Sequence, residues 1–519
     1  MTRHQKIACT FLLFIFTFVS VAQEKQKYLD QRQLDAVADQ LIANFERLDA
    51  ISIDVRDRSR SVKWDTYKNW LRTSISQARN WTDFVLAIDS FHYGITNLHS
   101  YVEVAKEIRT LSPKGRPSWP AIPLGYTYPQ LSFFDTQTDK SIMSLNGRPI
   151  ADIFEKFVNY YCNDLHQQGC LNRFTKYIVK GYRFAESQKQ ITVGYIDGSE
   201  KLFDKHSSSI ASKPSSKGCE KYRNILDLKL IFQGAQSCLF RYKKDYLLKI
   251  LEFDNWGNKF DDFYCSKPFE VGMCTDINSI NAIINKTPAA NLLIDLQNNG
   301  GGSENTPWVA ALTANGFVDN LVEYKNIGEI SQTSIRQAMF YGSDYAEDWF
   351  AQLKENQKEN NFLPARGDFC RGSNTCLPTL IKSNPNHIKF NRLVLITNSR
   401  CVSSCDDLIW RLKAFSNAKV VGQMPSTDGT YARLMVYVIL MSDGEIASII
   451  SGEGLQQDFS QGQLLFEYRV PVTRTVSLNG IRLEGNTNVL DIEFDVNKSN
   501  YLSIEEDNIK RALQLVSSK

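Results

Sequence analysis

Two serines stand side by side in RCVSSCDD, positions 400 to 407, bracketed by Cys401 and Cys405 and preceded by the apolar run LVLIT. A hydroxyl placed where a buried strand gives way to a helix meets the helix's free amides and positive dipole end, which stabilise a developing oxyanion. RLVLITNSRCVSSCDDLIWRLK reads as strand, short loop and helix, and it delivers Ser403 and Ser404 to such a junction. The plainer reading is that these serines cap the helix. A second strand ends in NLLIDLQNNGGGSENTPW, where three consecutive glycines let the backbone approach a ligand with its amides. The Lys-Ser/Thr ending of a phosphate loop is missing there, and an isolated glycine run also serves as a plain turn.

A serine hydroxyl is a poor nucleophile near neutral pH and needs an adjacent base. Histidine has the right proton affinity, and a carboxylate fixes its tautomer. Of the six histidines, His4 lies in the leader, while His166, His206 and His387 fall in polar or turn-like contexts where surface placement is the default. His99 and His92 remain as bases, two helical turns apart on about the same face of a helix-like stretch.

The elements that must position these groups are legible in the pattern. LDAVADQLIANFERL and WTDFVLAIDSFHYGITNLH carry apolar residues at helical intervals, so residues 23–110 read as an N-terminal helical domain. LSPKGRPSWPAIPLG, with four prolines, marks a boundary. Residues 111–206 then read as a β-rich insert: SIMSLNGRPIADIFEKFVNYY predicts strand, Asn-Gly turn and helix, and QITVGYIDGSEKLF a hairpin turning at Asp-Gly. In residues 207–519 strands YLLKILEF, NLLIDL, RLVLIT and AKVVG alternate with helices INSINAIINK, PWVAALTANG and SCDDLIWRLKAF, which predicts an α/β domain with a mostly parallel sheet.

Residues 1–22, with Arg3 and Lys6 before an apolar run and small residues at Ser20 and Ala22, read as a signal peptide of an exported, periplasmic or extracellular protein. Membrane spanning needs about 20 apolar residues, and the run is shorter, so stable insertion after cleavage is not expected. Of 60 basic side chains two leave with the leader, so 58 face 57 acidic ones, and no long basic block points to nucleic acid. Cys9 also leaves. The other ten cysteines fall into sequence-near couples, Cys162 and Cys170, Cys219 and Cys238, Cys265 and Cys274, Cys370 and Cys376, Cys401 and Cys405. An even number in an exported chain argues for disulfides, although spacing alone does not fix the pairing. Zinc is the weaker reading, since neither CxxC nor HExxH occurs.

Together the two glycine and serine stretches resemble the tail-specific, or C-terminal-processing, serine peptidase family. Its D-L-R-x-N-x-G-G motif stands here as Asp295-Leu296-Gln297-Asn298-Asn299-Gly300-Gly301-Gly302, with Gln297 in place of arginine. Its serine motif stands as Ser403-Ser404-Cys405-Asp406, followed by Val420-Val421-Gly422, which makes Ser403 the nucleophile. The bacterial branch places a lysine base 25 residues on, where this chain has Asp428, so a Ser-Lys mechanism is disfavoured. The tricorn-core branch uses a histidine in D-x-H-[ST], matched by Asn97-Leu98-His99-Ser100, and a glutamate in E-G-x-G-V-x-P-D, matched in part by Glu484-Gly485-Asn486-Thr487-Asn488-Val489-Leu490-Asp491.

The resemblance implies a ClpP/crotonase-like spiralled core, a degenerate PDZ-like insert, His99 as base, Glu484 as its orienting acid, and an oxyanion hole from Gly300 or Gly301 with Ser404. It implies hydrolysis of peptide bonds in proteins or peptides through an acyl-enzyme on Ser403, with no cofactor and no metal. The oligomeric state is not readable. Two rivals are a catalytically degenerate peptide- or ligand-binding protein on the same fold and an esterase using Ser403, the latter disfavoured by the lack of a GxSxG elbow. Cys401 and Cys405, placed i and i+4 near a helix start, would have α-carbons about 6 Å apart, within disulfide reach, and a bridge would clamp the serine's turn. Two thiols packed as small apolar groups are the alternative.

Overall fold

The computed structural model describes residues 28–112, 122–181, 190–204, 218–225, 227–253, 265, 272–287, 290–302, 305–328, 362–367, 378, 380–429, 432–452 and 457–517. The leader, His206, Cys370 and Cys376 lie outside them.

A seven-stranded sheet runs in the spatial order Ile492–Glu493, Lys419–Gly422, Leu393–Thr397, Leu292–Asp295, Asp245–Ile250, Ser237–Tyr242, Lys229–Gln233. The first five are parallel to their neighbours, and the last two are antiparallel additions. Strands buried on both faces read as unbroken apolar runs, which is why LVLIT and NLLIDL lack polar alternation. Their side chains nonetheless sort with period two. Leu292, Ile294, Leu393, Leu395 and Val420 pack with the helices Met273–Ile284, Thr306–Leu312 and Ser404–Phe415. Leu293, Val394, Ile396 and Val421 pack on the opposite face with Ile509, Ala512 and Leu513 of the helix Ile504–Ser517. The chain is thus a mixed α/β protein, and the mostly parallel sheet expected from the alternation is present.

The helices Gln31–Leu48, Trp64–Ser76 and Trp81–Gly94 share one core with an antiparallel sheet ordered Tyr101–Val104, Gly462–Pro471, Arg433–Met441, Ile446–Gly452. The beginning of the chain is therefore packed against strands more than three hundred residues later. Trp81–Gly94 ends on a glycine packed against Tyr67, where an added Cβ would lie 1.9 Å from Tyr67 Oη. The helical pattern read through His99 ends there, so His99 sits on the turn before Tyr101–Val104 and does not share a helix face with His92.

Between these bodies, Ile142–Leu145 turns through Asn146 and Gly147, both at positive φ, into Ile150–Tyr160, and Gln190–Tyr195 pairs with Glu200–Asp204 across Asp197 and Gly198. Disulfides join Cys162 to Cys170, Cys219 to Cys238, Cys265 to Cys274 and Cys401 to Cys405. Among the described residues no helix is long and apolar enough to cross a membrane.

Candidate active site

Because Leu292–Asp295, Leu393–Thr397 and Lys419–Gly422 are parallel neighbours, the loops leaving their carboxyl ends emerge on one side of the sheet. Ligands in open α/β sheets bind at such ends. The middle loop carries Ser403, immediately before the helix Ser404–Phe415, at φ 62° and ψ −125°. A non-glycine residue at positive φ costs on the order of 1–3 kcal/mol and persists only where its surroundings hold it. Capping does not explain it. Ser403 occupies the cap position but makes no side-chain capping bond, whereas Asp30 and Asn80 cap their helices. Ser404 is committed elsewhere, its Oγ donating to Gly302 O at 2.8 Å. Among the described residues Ser403 Oγ makes no hydrogen bond, which leaves it the available hydroxyl of the pair.

The bridge between Cys401 and Cys405 spans this turn, with α-carbons 5.3 Å apart and both residues fully buried. It ties the residue two before the serine to the residue two after it. Replacing both cysteines by serine is expected to slow phosphonylation of Ser403 about tenfold through loosened geometry, with the fold retained. Labelling kinetics with a serine-reactive phosphonate check this; an unchanged rate would show that the turn holds itself.

Gly301 meets the serine from the neighbouring loop. A Cβ there would lie 2.5 Å from Val402 O, 2.8 Å from Ser403 Cβ and 3.1 Å from Ser404 N, and its φ is +88°. Its own amide is already used, donating to Asn299 Oδ1 at 2.9 Å. Of the two glycines expected as oxyanion donors, Gly301 has its amide on Asn299, while a Cβ on Gly300 would meet nothing within 4 Å. The amide of Ser404, first in its helix, has no carbonyl one turn back to bond. Asn298 and Asn398 lace the two loops: Asn298 N donates to Asn398 Oδ1 at 3.0 Å, and Asn398 Nδ2 to Asn298 Oδ1 at 3.1 Å. Gln297, standing where the motif has arginine, is fully buried, accepting from Asn508 Nδ2 at 2.8 Å and donating to Glu505 O at 3.1 Å.

The third loop meets both the serine turn and the histidine turn at Asp428. Ser403 N donates to Asp428 O at 3.1 Å, and His99 Nδ1 lies 3.1 Å from Asp428 Oδ1, within contact distance but not aligned as a hydrogen bond. The same carboxylate accepts from Leu98 N at 2.6 Å and Asn97 Nδ2 at 3.1 Å. Asn97 Oδ1 in turn accepts from the amides of His99 and Ser100, so one asparagine shapes the histidine turn and fastens it to Asp428. An acid at position 97 would face Asp428 as a like charge, which explains the amide where the family motif has an acid. Asp428 is itself held by Asp406, whose oxygens accept from Thr427 N at 2.9 Å and Asp428 N at 3.0 Å.

Glu484, expected to orient His99, makes no ion pair with it. Its Oε1 accepts from Thr475 N at 2.8 Å, while Oε2 is buried without a hydrogen-bond partner. The geometry thus brings Asp428, not Glu484, to the imidazole. The alternative base, His92, has its Nδ1 accepting from Val102 N at 3.1 Å. His166, expected at the surface, is packed beside the site, its Nε2 2.6 Å from Thr427 Oγ1. Asp428 carried a sequence signal, a carboxylate 25 residues after the serine where a lysine base was sought. His166 carried none.

Burial pushes the Glu484 carboxyl up to about 8, against 4.5 ordinarily. Between these values the unfolded chain has lost this proton and the folded chain keeps it. Stability from this group is therefore full below about 4.5 and falls as pH rises toward 8. Glu484→Gln is expected to flatten that decline by one proton's worth in denaturant titrations across this range; an unchanged slope would place the ionised carboxylate in the folded protein.

No family model and no curated protein sequence matches the chain. Among solved structures, mature CPAF complexed with lactacystin superposes with a TM-score of 0.56 at 12% identity, covering 94% of this chain and 99% of that one. A CPAF point mutant gives 0.53 at 11% identity, covering 94% and 98%. The likeness extends over nearly the whole of both chains and is one of fold.

Proposed function

We propose that this chain, whose fold is that of the tail-specific peptidases, is an exported serine peptidase acting through Ser403, His99 and Asp428. The observation that carries the reading is the strained, uncapped Ser403 joined through one residue, Asp428, to the turn bearing His99. In this account Asp428 holds His99 with its proton on Nδ1, leaving Nε2 to take the serine proton. Ser403 Oγ attacks the peptide carbonyl, and the oxyanion accepts from the amides of Ser404 and Gly300. Collapse expels the amine, which takes the proton from His99, and leaves an ester on Ser403. Water then repeats the sequence, losing its proton to His99 as the acid is released and Ser403 regains its hydrogen. No metal or organic cofactor enters.

The flanking parts fit the same reading. The core would take the spiralled ClpP/crotonase-like form, residues 111–206 a degenerate PDZ-like insert, and the buried disulfides suit an oxidising compartment outside the cytoplasm. A fluorophosphonate probe tests the chemistry, since Ser403 Oγ would displace fluoride from phosphorus with His99 accepting the proton. Mass spectrometry is expected to find the adduct on the peptide containing Ser403, and cleavage of unfolded protein substrates should vanish with labelling. An unlabelled protein, or an adduct elsewhere, would overturn the reading.

A further inference from the structure

The loop closed by the Cys162–Cys170 disulfide reaches from the insert to the loops that carry the site. Gln168 Oε1 accepts from Met424 N at 3.0 Å, and Asn172 Nδ2 donates to Ser399 Oγ at 2.6 Å. From the same stretch His166 Nε2 lies 2.6 Å from Thr427 Oγ1. Thr427 immediately precedes Asp428, stands at φ 53°, and its hydroxyl also accepts from Gly485 N at 3.1 Å. Arg60 fixes the other side of the loop by donating to Asp164 O, and Arg173 pairs with the Asp164 carboxylate.

We propose that His166 is a positioning residue for catalysis, acting through Thr427 to hold the strained turn that aims Asp428 at His99. It rests on the reading of Ser403, His99 and Asp428 given above. Desolvation, with the Arg60 and Arg58 charges, lowers the imidazole pKa to about 4, so near neutrality Nε2 accepts the threonine proton or donates its own, according to tautomer. Either way the hydroxyl is pinned while its free lone pair meets Gly485. A turn residue at positive φ has no regular ladder to hold it, and here its side chain is the handle. The insert thereby reaches the residue next to Asp428 through the His166–Thr427 hydrogen bond.

The test measures phosphonylation of the full-length protein, separating the maximal rate, kinact, from the half-saturating probe concentration, KI. His166→Ala and Thr427→Val are each expected to lower kinact about tenfold with KI little changed, because the turn shifts while the probe's binding surface stays. The double variant should be no slower than either single one, and His166→Gln, which returns a polar atom near the position of Nε2, should restore most of the rate. Circular dichroism and melting temperature would confirm that the variants fold. A wild-type kinact in folded His166→Ala, or fully additive effects in the double variant, would overturn the proposal while leaving the serine mechanism standing. Absence of labelling in the unsubstituted protein would instead remove the mechanism it rests on.

Discussion

Asp428→Asn is expected to slow phosphonylation of Ser403 by about 10⁴-fold, the scale seen when the acid of a serine triad becomes an amide. Two effects act together. The amide cannot stabilise the imidazolium that forms as His99 takes the proton. It also conflicts with its neighbours, because both carboxylate oxygens now accept hydrogen bonds, from Leu98 N and Asn97 Nδ2, and an asparagine must turn an N–H₂ toward one of these donors. The turn carrying His99 loses one of its ties. Glu484→Gln is the matched comparison, since its carboxylate contacts Thr475 N and makes no ion pair with His99, and it should label at a rate near that of the unsubstituted protein. Stopped-flow or timed-quench labelling distinguishes the two variants, and the reverse ranking would return the orienting role to Glu484.

Gly301→Ala should cost about 10²-fold or more in the same assay, since a displacement near 1 Å at a reacting group has that effect. The added methyl would press on Val402 O, Ser403 Cβ and Ser404 N, which are parts of the serine's own turn, and none is the far end of a flexible side chain that could swing away. The φ of +88° adds strain whatever the space. Gly147→Ala separates the two terms: its φ is +73° but nothing lies within 4 Å, so it should lose some stability and keep its labelling rate. Equal labelling in both variants would mean that the glycine loop does not abut the nucleophile.

Much of this site was legible because its parts are local. LVLIT followed by SCDDLIWRLKAF gave the strand Leu393–Thr397 and the helix Ser404–Phe415 at the expected residues, since a doubly buried strand and a helical period each leave a mark within a few positions. The cysteine couples were readable for the same reason, and all four that fall within the described residues are bridged. What escaped is tertiary. The apolar spacing of WTDFVLAIDSFHYGITNLH continues past Gly94, although the helix ends there. Nothing within residues 295–302 tells that Asn299 takes the amide of Gly301. The choice between Asp428 and Glu484 depends on how Asp428 folds back onto a turn some 330 positions earlier, and the partial motif match at Glu484 favoured the glutamate.

A crystal structure of the phosphonylated protein tests the central claim most directly. The expected result is phosphorus bonded to Ser403 Oγ, one phosphonyl oxygen between the amides of Ser404 and Gly300, and His99 Nε2 facing the adduct with Nδ1 on Asp428. An adduct on another residue, or an imidazole turned away from Ser403 with Asp428 bonded elsewhere, would contradict it.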